Sequence, residues 1–275
     1  METYRGMDRA ALSDAYNNRG VVPRWQQYMA DWKKRSQNLY ESVCCLRDLP
    51  YHPGKTRHRF DIFPGTVQSL PTVLYLHGGY WQWNDKEGQA FVAKAALNRG
   101  FSVAIGEHSL APQVGMTELV DEVANLVVAV SKNARSAGRN PEIALVGMSS
   151  GAHLLALTLD MKEAVCALLI SGAYDLEPIR ISSLNDAISM DWREARHLSP
   201  LHRTYRNKKP VTLAFGSRER PEICRQSRDF HEALVQQGVK SNLLPILGKD
   251  HFSVLETLEQ DQGALFQALL YLTQQ

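Results

Sequence analysis

The residues with most chemistry to offer are Gly147-Met148-Ser149-Ser150-Gly151, a G-x-S-x-G run. Such a run can present a serine hydroxyl for attack on a carbonyl, and its flanks decide whether it does. IALV before it reads as a buried strand, and AHLLALTL after it reads as a helix. A sharp strand-to-helix turn needs small neighbours at Gly147 and Gly151, and it thrusts the Ser149 hydroxyl into a cleft. The start of the helix also favours negative charge developing beside Ser149. A plain helix cap is the competing reading of that serine. The pattern engages the backbone N–H of Ser150 rather than its hydroxyl. His153, four positions after Ser149, runs along the helix flank and reads as a structural histidine.

Serine is a poor nucleophile until a base takes its proton, and that base needs an acid to fix its tautomer. After a turn of this kind the partners follow in the order Ser, then Asp or Glu, then His. The histidines after Ser149 are His153, His197, His202, His231 and His251. His251 alone follows the last strand candidate, in GKDHFSV, so it is the expected base. The acid should follow the preceding strand, where Ser217-Arg218-Glu219-Arg220-Pro221-Glu222 carries two carboxylates. Glu222 follows a proline and suits the first turn of a helix. Asp250 abuts His251 too closely in sequence to meet its imidazole easily. Glu219 is therefore the expected acid, although its flanking arginines also suit a solvated loop.

These residues need an edge to meet on. From residue 72 onward, short apolar runs alternate with helical patterns: TVLYL (72–76), SVAIG (102–106), IALVG (143–147), VCALLIS (165–171), VTLAFG (211–216) and SNLLPIL (241–247). Most are continuously apolar, as strands buried on both faces should be. Helical patterns cover 86–99, 116–137, 150–160, 221–237 and 252–273. The implied fold class is α/β, a mostly parallel central sheet flanked by helices, with its active site at the strand C-terminal edge. Residues 1–64 open with a helical pattern, of which 1–40 is expected near the active site, then continue into ESVCCLRDL and HRFDIF as an antiparallel edge pair. The long excursion 174–209 reads as an embedded cap within one domain, 1–275.

The chain has 275 residues, 44% hydrophobic and 22% charged, with a formal net charge of +2. So small a charge argues against nucleic acid or an anionic membrane as partner. The basic cluster Arg203 to Lys209 reads as a solvated loop. The four cysteines show no metal-ligand or redox spacing and are expected as buried free thiols. METYRGMDRAAL carries charge where a signal peptide needs an apolar core, so a cytoplasmic location is expected, with no metal and no cofactor. A homodimer is compatible with the sequence.

Beyond the catalytic pattern, the chain resembles the kynurenine formamidase (arylformamidase) branch of the α/β-hydrolase fold, related to hormone-sensitive-lipase-like esterases. HGGYW (77–81), GMSSGAHL (147–154), SGAYDLEPI (171–179), the segment 183–200, GSRERPEICRQS (216–227), DHF (250–252) and YNNRGVVPRW (16–25) carry the resemblance. It implies hydrolysis of an N-formyl amide of an aromatic amine, with Ser149 as nucleophile, Glu219 as acid and His251 as base. The oxyanion would be held by the backbone N–H groups of Gly79, Tyr80 and Ser150, with His77 anchoring their loop. The resemblance also suggests that the rings of Tyr80, Trp81 and Trp83 wall an aromatic pocket. The family's acid is more often Asp, and relatives commonly keep Tyr where HSLAP has His108. A carboxylesterase, carbamate hydrolase or other amidase acting on a small aromatic compound is the alternative, and a binding protein that has lost catalysis is a third.

Overall fold

The computed structural model describes residues 2–274. Eight strands build one sheet: β1 (Leu46–Pro50), β2 (Arg59–Phe63), β3 (Thr72–Leu76), β4 (Val103–Gly106), β5 (Ile143–Met148), β6 (Ala164–Ile170), β7 (Val211–Gly216) and β8 (Ser241–Ile246). Their spatial order is β1-β2-β4-β3-β5-β6-β7-β8. β1 and β2 pair antiparallel, as does β2 with β4, and every other neighbouring pair is parallel. The α/β class with a mostly parallel sheet is thus the observed fold.

The continuous apolar runs are explained by burial on both faces. Leu74, Leu76, Ile143 and Leu145 enter one core cluster, while Val73, Tyr75, Ala144 and Val146 enter the other. Alternate residues of one strand thus serve opposite cores, and each fully buried Leu or Val contributes about 1.5–3 kcal/mol.

Three helices precede the sheet: α1 (Arg9–Ala15), α2 (Asn18–Val21) and α3 (Trp25–Ser42). Between strands lie α4 (Lys94–Asn98), α5 (Met116–Ser136) and α6 (Ser150–Ala156). The excursion between β6 and β7 holds α7 (Glu177–Ile181), α8 (Asn185–Ile188), α9 (Trp192–His197) and a 3-10 turn, Pro200–His202. α10 (Pro221–Gln236), α11 (Glu256–Glu259) and α12 (Ala264–Leu272) complete the chain. Among the described residues no helix is long and apolar enough to cross a membrane.

Two helical expectations are corrected. The pattern 86–99 is mostly a 3-10 stretch, Glu87–Ala93, before α4. Its polar groups go to tertiary partners, with Phe91 N–H donating to Ser36 Oγ at 3.0 Å and Tyr75 donating to Gln89 at 2.6 Å. The pattern 252–273 divides into α11 and α12, because the chain folds back at Gly263. A Cβ there would lie 1.9 Å from the Thr257 carbonyl oxygen. The cysteines are free, but Cys44 is exposed and Cys45 half-buried, so only Cys166 and Cys224 fit the expected burial.

Candidate active site

Ser149 joins β5 to α6 with φ 54° and ψ −118°, a conformation that costs about 1–3 kcal/mol for a residue with a Cβ. Its N–H donates to Ile170 O at 2.7 Å, tying the turn to β6. The neighbouring glycines are steric necessities. A Cβ on Gly151 would lie 2.3 Å from Leu76 O, and one on Gly147 would lie 2.7 Å from the backbone of Ala152. Ser150 opens α6, whose first-turn N–H groups have no intrahelical acceptor.

Glu219 lies in the turn after β7 and His251 in the turn after β8. Glu219 Oε2 is 2.7 Å from His251 Nδ1. Its other oxygen accepts from Gly216 N–H at 2.6 Å and from the Ser171 hydroxyl at 2.6 Å. The Glu219 side chain is fully buried, and among the described residues neither Arg218 nor Arg220 forms an ion pair with it. Arg220 turns away to pair with Asp14 at 2.8 Å. Glu222 takes its place in the first turn of α10 and pairs with Arg225. Asp250 Oδ1 accepts the N–H groups of Phe252 and Ser253, a local turn cap. With Nδ1 on Glu219, Nε2 is the His251 nitrogen available to the cleft that Ser149 also lines.

His153 is buried, its Nε2–H donates to Leu198 O at 2.8 Å and its Nδ1 accepts from Trp81 Nε1 at 3.2 Å. Burial pulls its pKa down to about 4, so it stays neutral. It serves the interior.

The loop after β3 is pinned at one carbonyl. Gly78 O accepts from Asn84 Nδ2 at 2.8 Å and from His77 Nδ1 at 2.9 Å. A trans peptide points its N–H opposite its C=O, so Gly79 N–H faces away from these donors. Among the described residues, no backbone carbonyl accepts from the N–H of Gly79 or Tyr80. His77 Nε2 in turn donates to Glu107 at 2.8 Å. Burial alone disfavours charge on both groups, but their mutual attraction wins. His77 is raised, and Glu107, aided by Arg57, is held down at about 2. His108 stacks on His77 at 4.8 Å, and burial keeps it neutral, with a pKa of about 3. At Gly79 φ is +134° and a Cβ would lie 2.1 Å from Trp83 O, which excludes any side chain.

Gly78, Gly79, Ser149 and His251 open into one cleft. Tyr80 and Trp83 line it, their ring centroids 5.9 Å apart. Trp81 is the correction to the expected aromatic wall. Its φ of +61° turns the indole inward, where it is 1% exposed and meets His153 edge-on. Much of the remaining wall comes from residues that no sequence motif singled out: Asn18 and Arg19 of α2, Met29 and Trp32 of α3, and Phe252, beside Asn84, Gln89 and Met148. Asn18 donates to the Tyr80 hydroxyl at 2.9 Å. Trp192 lies 59% exposed. Among the described residues no cluster of acidic, His and Cys side chains is arranged to hold a metal.

A model of the BD-FAE family matches residues 61–168. Kynurenine formamidase from Danio rerio is 30% identical and aligns with 98% of this chain and 98% of its own length. The chain belongs to the kynurenine formamidase family. The Salmo salar kynurenine formamidase is 32% identical over 82% of this chain and 81% of its own. A solved structure from Silicibacter sp., described as a candidate thioesterase, superposes with a TM-score of 0.85 at 28% identity, covering 94% of this chain and 98% of that one. The Pyrobaculum calidifontis esterase, at 17% identity and a TM-score of 0.75 over 100% of this chain and 95% of its own, shares the α/β-hydrolase fold. This family member is accordingly a hydrolase.

Proposed function

We propose that this enzyme cleaves the N-formyl amide of an aromatic amine, such as N-formyl-kynurenine, through Ser149, His251 and Glu219. His251 Nε2 takes the Ser149 proton as the hydroxyl oxygen attacks the formyl carbon. Backbone N–H groups of Gly79, Tyr80 and Ser150 hold the oxyanion, each worth about 3 kcal/mol of barrier. His251 then protonates the leaving arylamine. Water, deprotonated by the same imidazole, releases formate and restores Ser149. Tyr80 and Trp83 receive the aryl ring, as aromatic side chains on the wall of the cleft that Ser149 and His251 share. Residues 1–40 and 174–209 together act as its cover, with α2 and α3 forming the near wall.

The observation that carries this reading is the 2.7 Å contact of Glu219 with His251 Nδ1, beside the cleft that Ser149 and His251 share. It fixes the tautomer that a base needs. The test compares kcat/KM for N-formyl-kynurenine and p-nitrophenyl acetate in wild type and Ser149→Ala. The formyl amide should be preferred, and the variant should lose at least about 1,000-fold in kcat with an unchanged melting temperature. A preference for the ester would replace the amide reading with an esterase. Activity surviving in Ser149→Ala would remove the triad.

A further inference from the structure

Arg19 is the one formally charged side chain among the described residues that line the cleft, apart from what His251 can acquire. The guanidinium lies 4.5 Å from the Trp25 ring centroid and 4.8 Å from that of Trp83. Other arginines near the site are paired with carboxylates: Arg57 with Glu107, Arg220 with Asp14 and Arg225 with Glu222. Arg19 has no such partner among the described residues. Burial has already lowered its pKa, and no carboxylate among the described residues offsets that loss of water.

This is an arginine prepared for a ligand. Stacking on indole rings uses the flat faces of a guanidinium and leaves its N–H edge free. That edge matches the two oxygens of a carboxylate, and partial loss of water strengthens the contact. Among the described residues no acidic side chain lines the cleft to compete.

We propose that Arg19 is a specificity-determining residue that binds a carboxylate carried on the amine side of the substrate. The preferred substrate is then an aromatic amide with an anionic tail, rather than a neutral anilide. The inference rests on the cleft being the site of amide hydrolysis.

The test uses N-formyl-kynurenine and its primary carboxamide, which share a skeleton and differ in charge. Wild type should favour the acid by about 10- to 100-fold in kcat/KM, chiefly through KM. Arg19→Gln should collapse that ratio toward one, and Arg19→Lys should keep part of it. An unchanged ratio in Arg19→Gln, or an equal loss on both substrates, would overturn the proposal and leave Arg19 a packing residue. Should wild type cleave neither amide but hydrolyse aryl esters, the amide reading fails. The same ratio is then read on paired aryl esters with and without a carboxylate, where its persistence in Arg19→Gln would sink the Arg19 proposal too.

Discussion

Glu219 shows how much a single carboxylate depends on groups outside the catalytic trio. Its Oε1 takes two donors, Gly216 N–H and the Ser171 hydroxyl, so Oε2 is steered to His251. Ser171 sits at the end of β6 with φ +51°. Ser171→Ala should therefore lower kcat by about 10-fold with KM little changed, since one of two donors remains. Steady-state kinetics would check this, and a fall confined to KM would contradict it. The trio itself was readable from the chain because motif and order constrain it. Ser171, Asn18 and Asn84 were not. A single polar residue carries no periodicity, and what it binds lies as far as 62 positions away, as Asn18 and Tyr80 do.

The oxyanion loop is an element held from below. Glu107 follows β4 and His77 follows β3, so two neighbouring parallel strands deliver an ion pair under Gly78. Glu107 also accepts from Arg57 and from the N–H groups of Lys86 and His108. Its folded pKa of about 2 lies below the ordinary 4.5, so its stabilisation is complete above pH 4.5 and fades as pH falls toward 2. His77 is raised above 6.5, so its share is complete below pH 6.5 and fades as pH rises through the folded value. The two shifts share the His77–Glu107 interaction, so they are not added together. Wild type should exceed Glu107→Gln in stability by about 3 kcal/mol at most, with the gap widest between pH 4.5 and 6.5. Urea unfolding across pH would show it, and a gap constant down to pH 2 would refute it. The strands were legible because apolar runs buried on both faces leave a plain record. The 3-10 stretch and the break at Gly263 were not, because partners from α3 and the carbonyl of Thr257 decide them.

At the scale of the molecule, the N-terminal helices are bound across the whole chain. Tyr4 reaches Asp175 at 2.6 Å, Arg9 pairs with Asp186, and Asp14 with Arg220. Trp32 of α3 is the apolar keystone, stacked on Phe91 at 5.5 Å and 6.0 Å from Phe252, the residue after His251. Trp32→Ala should cost about 3–5 kcal/mol of stability and also lower kcat, because the support of the His251 turn is lost. Denaturant unfolding with parallel kinetics would test both, and a stability loss below about 1 kcal/mol would show that α3 is peripheral. By itself, the sequence determined the α/β class and the candidates Ser149, Glu219 and His251. Burial on both faces, glycine sterics and chain order are local constraints written in residue type. Only the tertiary structure decided which aromatics face the cleft. A positive φ turned Trp81 inward, while α2 and α3 brought Arg19 and Trp32 from far along the chain, contacts that no local pattern encodes.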